Sequence, residues 1–161
     1  MQKAFTLIEL VVVMGLIAML GTITTVMLVA TLQAAKKASA VSLVKSEGTY
    51  VVNIMTQLLK FSTDVTLCGN NSVTFQPRAD DSDLAELSCK GAGPYYIASN
   101  SASLTSDKVE MTTCTISCDD PDPALVNKVN VSFNLQVKNA TFTTEKSTVD
   151  FRTEINLRNR E

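Results

Sequence analysis

The chain contains no histidine and no tryptophan among its 161 residues. Without histidine it lacks the commonest general base and metal ligand, and Ser-His-Asp or Cys-His catalysis within one chain is excluded. A strong overall field is missing as well. The 14 basic and 16 acidic residues nearly cancel, so net charge gives no grip on nucleic acid. Proline is absent before Pro77. Charge is absent over one whole stretch: Leu10 to Ala35 carries none, while Lys36 to Glu161 carries all but two of the charged residues. The 45% apolar content is ordinary for a globular protein, but its distribution is not. A chain of this length has room for one domain plus an appendage, not for two sizeable cores.

The uncharged stretch is 26 residues long. As an α-helix it extends roughly 39 Å, more than the ~30 Å of a bilayer core. A domain this small cannot cover such a helix on every side, so the segment belongs in a membrane. Three readings compete. A secretory signal would use Ala38-Ser39-Ala40 as its cleavage site, but the apolar run is too long and Glu9 stands at its head. A plain anchor explains the length and leaves Glu9 unexplained, since a carboxylate at the mouth of a span is expensive and usually has a purpose. The third reading lies in the residues themselves.

Lys3-Ala4-Phe5-Thr6-Leu7-Ile8-Glu9-Leu10-Val11-Val12-Val13 resembles the class III signal of type IV pilins and type II secretion pseudopilins. In that family a short basic leader precedes a Phe-Thr-Leu-Ile-Glu start. The resemblance implies cleavage between Ala4 and Phe5 by a prepilin peptidase, N-methylation of Phe5, and an assembly role for Glu9. An unpaired carboxylate in hydrocarbon costs several kcal/mol, and the free amine of Phe5 on a neighbouring subunit would remove that cost. The competing reading has Glu9 merely sitting at headgroup level. Two features depart from the family pattern. Ala4 stands where Gly is usual, and the later part of the apolar helix has no proline. Gly21 with Thr22, Thr24 and Thr25 is the weak point instead, because Gly lowers helix propensity and Thr can bond back to the backbone.

Beyond Lys36, Val41, Val44, Gly48, Val51, Met55, Leu58 and Leu59 recur at spacings of 3, 4 and 7 and form one apolar stripe. One continuous helix from about Phe5 to Phe61 is predicted, its second half laid against a sheet. Short strands follow at Val65–Leu67, Ser72–Phe75, Tyr95–Ala98 and Val109–Cys118. Val129 to Val137 and Val149 to Leu157 alternate apolar and polar residues, which predicts a long hairpin across Asn139–Lys146 that covers the helical stripe. The fold class is α+β, a long N-terminal helix on an antiparallel sheet, and this is also the architecture the resemblance implies.

All four cysteines, Cys68, Cys89, Cys114 and Cys118, follow the span. An even count suits disulfides in an oxidising compartment, which puts the N-terminus in the cytoplasm and the remainder outside. The favoured pairing is Cys68–Cys89 with Cys114–Cys118, the second made feasible by a bend before the Asp119–Pro123 turn; crossed pairings are the alternative. Zinc is disfavoured, as there is no C-x₂-C pair and no histidine. Residues 64–123 hold ten acids against three bases. The Asp80-Asp81-Ser82-Asp83 run and the Asp119, Asp120, Asp122 cluster offer oxygen ligands for Ca²⁺, against the commoner reading of solvated acidic loops without EF-hand spacing. No cofactor is otherwise expected. Lys128, Lys138, Arg152, Arg158 and Arg160 lack an aromatic platform and read as a solvated strand face, not a DNA surface. No catalytic constellation and no ligand motif is visible in the head.

The expected organisation is a leader at 1–4, a transmembrane and filament-core helix at 5–35, and an extracytoplasmic head at 36–161. The expected function is structural and non-enzymatic: a pilin or pseudopilin precursor in the inner membrane. Its partners would be copies of itself, other pilins, the prepilin peptidase and an inner-membrane assembly platform. The alternative is a single-pass anchor carrying an extracytoplasmic β-rich binding domain.

Overall fold

The computed structural model describes residues 6–77, 83–120, 122–140 and 146–157. The chain divides into two units, Met1–Ala38 and Ser39–Glu161. Helix α1 runs from Leu7 to Lys60 without interruption. In the first unit its side chains are exposed on every face. Seventeen large hydrophobic residues between Leu7 and Leu32 are uncovered, from Ile23 at 46% to Leu7 at 81% exposure. At about 1.5–3 kcal/mol for each side chain withdrawn from water, roughly 25–50 kcal/mol of hydrophobic free energy is unrealised there.

In the second unit the same helix is amphipathic. Val44, Gly48, Val51, Met55 and Leu59 are buried, the 3–4 spacing of the predicted stripe. Val41 and Leu58, at its margins, are half-buried. Among the described residues nine strands follow: β1 Asp64–Gly69, β2 Ser72–Gln76, β3 Ala85–Lys90, β4 Tyr96–Ser99, β5 Ala102–Ser103, β6 Val109–Glu110, β7 Cys114–Cys118, β8 Lys128–Val137 and β9 Val149–Asn156. They form two antiparallel sheets instead of one. The first is a meander ordered β1-β2-β3-β4-β5; in the second, β8 is central, paired with β6, β7 and β9. A Tyr95–Met111 bridge links the segments before β4 and after β6.

The hairpin of β8 and β9 pairs Leu135 with Val149 through to Lys128 with Asn156. Part of its expected turn, 141–145, lies outside the described residues. Phe133 and Phe151 stack across this pair with ring centroids 5.1 Å apart. One continuous core joins the helical stripe to Val73, Phe75 and Leu87 of the first sheet and Val129, Val131 and Leu135 of the second.

Three strand assignments need correction. β5, Ala102–Ser103, lies outside every expected stretch, being too short to carry an alternation. β3 is hidden in the sequence because Ala, Glu and Lys are poor strand formers that obscure the Ala85-x-Leu87-x-Cys89 alternation. The single stretch Val109–Cys118 is broken into β6 and β7. The break is held by Asn134, whose Oδ1 accepts from the N–H groups of Thr112 and Thr113, 3.0 Å each, and from Thr112 Oγ1 at 2.9 Å.

The disulfides overturn the favoured pairing. Cys68 joins Cys118 and Cys89 joins Cys114, with Cα atoms 6.4 and 5.9 Å apart. The reason is register. β7 pairs regularly with β8 from Cys114 opposite Phe133 to Cys118 opposite Val129. No bend intervenes, so its two cysteines stand about 13 Å apart, beyond the ~7 Å a disulfide tolerates. β2 lies between β1 and β3, so Cys68 and Cys89 are separated by two strand spacings, roughly 9–10 Å, plus an offset along the ladder. The long spacing within β7 matches the gap between β1 and β3, and each end of β7 is bonded to one of them. Midway, Ile116 N–H reaches Asn71 Oδ1 at 3.4 Å.

Candidate functional site: the N-terminal motif and its helix

Thr6 caps α1. Its backbone carbonyl accepts from the N–H of Glu9 at 3.1 Å and of Leu10 at 3.3 Å, and its Oγ1 accepts from Glu9 N–H at 3.4 Å. The bonds from Glu9 N–H satisfy a donor that the first turn of a helix otherwise leaves open, and the one from Leu10 is the first regular bond of the helix. Thr6-Leu7-Ile8-Glu9 also has the T-x-x-E spacing of a capping box, a signal legible in the sequence beside the one read there. Glu9 is exposed in the first turn, where the partial positive charge of the helix N-terminus favours a carboxylate. Ala4 and Phe5, expected to flank the cleavage point, lie outside the described residues.

The helix that follows accounts for its own polar groups. Thr22 Oγ1 donates to Met19 O at 2.8 Å, Thr24 Oγ1 to Leu20 O and Gly21 O at 3.1 and 3.0 Å, Thr25 Oγ1 to Gly21 O at 2.8 Å, and Thr31 Oγ1 to Leu28 O at 2.8 Å. A helix meeting hydrocarbon must satisfy its hydroxyls internally, and this one does. Three of these threonines crowd around Gly21, where a Cβ would meet nothing. The predicted weak point thus has bifurcated carbonyls and no packing of its own. The described residues include one helix long and apolar enough to cross a membrane, and it is α1.

The other residues singled out in the sequence have local tasks. Every cysteine is disulfide-bonded. Asp119 Oδ1 accepts from Asn127 N–H at 3.1 Å, Asp120 Oδ1 from Asp122 N–H at 2.8 Å, and Asp122 Oδ1 from Ala124 N–H at 3.0 Å. Asp122 caps a 3₁₀ turn at Pro123–Leu125, so these carboxylates shape the β7–β8 connection. Desolvation, the largest single influence, pushes the Asp119 carboxyl up. Hydrogen bonds from the backbone at Lys128, Asn127, Asp119 itself and Asp120 outweigh it and hold the group below the usual value. Among the described residues no group of three or more His, Cys, Asp or Glu is placed to hold a metal; Asp80 and Asp81 lie outside them. Lys128 and Lys138 stand at opposite ends of β8, roughly 33 Å apart, and Arg158 and Arg160 lie outside the described residues.

Residues 1–25 match the family model for the prokaryotic N-terminal methylation motif. No curated protein and no solved structure matches the chain. A prepilin-type methylation motif running directly into a long apolar helix is therefore what this chain carries, as a type IV pilin-like precursor does.

Proposed function

We propose that the chain is a structural subunit of a type IV pilus or a related pseudopilus, without enzymatic activity of its own. One observation carries this reading. The methylation motif opens a helix whose first half is uncharged beyond Glu9, apolar and exposed all round, with Glu9 the lone acid in its first turn. Such a helix suits two successive environments, a bilayer and then the packed centre of a filament.

In this reading residues 1–4 are a leader and the peptidase cuts between Ala4 and Phe5. Methylation of the new Phe5 amine keeps its positive charge. Residues 5–35 hold the subunit in the inner membrane with the N-terminus cytoplasmic, and 36–161 form the extracytoplasmic head. Glu9 then attracts the Phe5 amine of a neighbouring subunit, which sets axial register and removes the cost of a carboxylate in hydrocarbon. The partners are copies of this chain or other pilins, the peptidase and an assembly platform. The disulfides suit the oxidising side of the membrane.

Mass spectrometry of the mature N-terminus tests the reading. A chain that begins at methylated Phe5 supports it; one that retains Met1 refutes it in favour of the anchored binding domain, and one that starts at Val41 refutes it in favour of a cleaved secretory signal. Glu9→Ala should be cleaved and inserted normally yet enter filaments poorly. Normal incorporation would remove the charge-pair role.

A further inference from the structure

All three tyrosines of the chain, Tyr50, Tyr95 and Tyr96, line one surface cleft of the second unit. The cleft is two open hollows, of about 530 and 260 Å³, that share Ser103, Thr105 and Ser106 as their dividing ridge. Tyr50 and Glu47 of α1 face the ridge from one side. Tyr95, Tyr96, Asp107, Glu110 and Lys138 face it from the other. Leu104 anchors the ridge: its N–H reaches Ile97 O at 2.8 Å and its side chain packs on the core.

The polar groups are partly occupied in a telling way. Glu47 Oε1 accepts from Ser106 Oγ at 2.9 Å, and Glu110 Oε1 from Gln136 Nε2 at 2.6 Å. Each is thereby fixed in place with a second carboxylate oxygen to offer. Among the described residues the three phenol hydroxyls, the Asp107 carboxylate and the Lys138 ammonium make no side-chain hydrogen bond. Tyr50 and Tyr96 are 55% and 38% exposed, and large aromatic side chains held at a surface beside fixed hydrogen-bonding groups are a recognition chemistry.

We propose that this cleft binds a neutral oligosaccharide. An anion would meet Glu47, Asp107 and Glu110. A quaternary or simple cation would suit tyrosine faces beside carboxylates, but Lys138 stands in the same hollow as Tyr95 and Tyr96. What tolerates acids, an ammonium and phenols together is a ligand whose every polar group both donates and accepts. A sugar ring fits that description. Its C–H face stacks on an aromatic ring, and its hydroxyls donate to Glu47, Asp107 and Glu110 and accept from Lys138 and the tyrosines. Two hollows sharing one wall suit neighbouring rings of one chain. The site lies wholly within residues 46–138 and stands or falls independently of filament assembly.

The composition supplies the measurement. With no tryptophan, the intrinsic fluorescence of the protein is that of these three tyrosines. The full chain, in a polyoxyethylene detergent that carries no sugar headgroup, is titrated with neutral di- and trisaccharides of glucose, galactose, N-acetylglucosamine and N-acetylgalactosamine. At least one should give a saturable change with a dissociation constant of about 1 mM or tighter. Tyr96→Ala and Lys138→Ala, on exposed or surface-turn positions, should each weaken it by about fivefold or more while thermal unfolding stays as in the parent chain. A loss of stability in either variant passes the test to Asp107→Asn, which should weaken binding similarly. No saturable change with any of these sugars, or saturation by choline chloride alone, overturns the proposal.

Discussion

The ring of Phe151 in β9 occupies the space where a side chain at Gly48 would stand. A Cβ built on Gly48 overlaps the ring, so helix and hairpin approach at a distance that only glycine permits. Phe151 is itself braced by stacking on Phe133, at an interplanar angle of 15°. Gly48 weakens the helix by roughly 1 kcal/mol relative to Ala. Its place in the stripe is explained by the ring it admits.

Gly48→Ala should therefore destabilise the protein despite its better helix propensity. Overpacking a filled core costs about 1–3 kcal/mol and the propensity gain returns about 1. Thermal unfolding of the full chain in detergent should show a lower midpoint for Gly48→Ala and a larger drop for Gly48→Val. Adding Phe151→Ala should cancel most of the penalty of Gly48→Ala, a non-additive cycle that marks direct contact. A variant more stable than the parent would show that the ring moves aside freely.

The crossed disulfides predict a distinctive digest. Trypsin cutting at Arg78, Lys90, Lys108 and Lys128 puts Cys68, Cys89 and the Cys114–Cys118 pair on three peptides. Unreduced protein should yield all three joined as one species; the pairing expected from sequence would leave the last peptide separate. Cys118→Ser should expose a thiol at Cys68 and leave Cys89–Cys114 intact. Loop entropy alone makes the 50-residue bridge worth about 4 kcal/mol and the 25-residue bridge about 3.5 when formed singly.

Acid should act partly through Asp119. Its folded pKa lies below the ordinary value near 3.8, so its contribution to stability is present above the unfolded value and lost as pH falls through the folded one. Asp119→Ala should be less stable than the parent at neutral pH, and the two should converge at strongly acidic pH. Denaturant midpoints measured across the acid range check this; a pH-independent difference would mean that the carboxylate charge contributes nothing.

The first unit makes a prediction about motion. A Cβ at Gly21 meets nothing, so Gly21→Ala should add about 1 kcal/mol of helix propensity. Amide hydrogen exchange over residues 19–25 in micelles should slow by roughly fivefold. Unchanged exchange would mean that the threonine back-bonds do not loosen this turn.

What could be read from the sequence was whatever the local pattern alone decides. Val44, Val51, Met55 and Leu59 declare their helical face by spacing, and β8 and β9 declare theirs by alternation, because burial on one face writes its period into the chain. The methylation motif is contiguous and equally local. The break between β6 and β7 was hidden, since it depends on Asn134 some twenty residues away. Disulfide pairing depended on which strand lies between β1 and β3, a property of the register. The tyrosine cleft was invisible for the same reason: Tyr50, Tyr96, Glu110 and Lys138 come from separate elements and share no sequence signature.

The disulfides also have a mechanical meaning. They are nested, the Cys89–Cys114 loop lying inside the Cys68–Cys118 loop. A pull applied between α1 and β9 can extend only the chain outside the larger loop. The stretch between its cysteines, a sequence separation of 50 and roughly 160–180 Å of extended backbone, is withheld. Under tension the oxidised protein yields a short, bounded length from its last hairpin and then stops, whereas the reduced protein would pay out the whole first sheet as well.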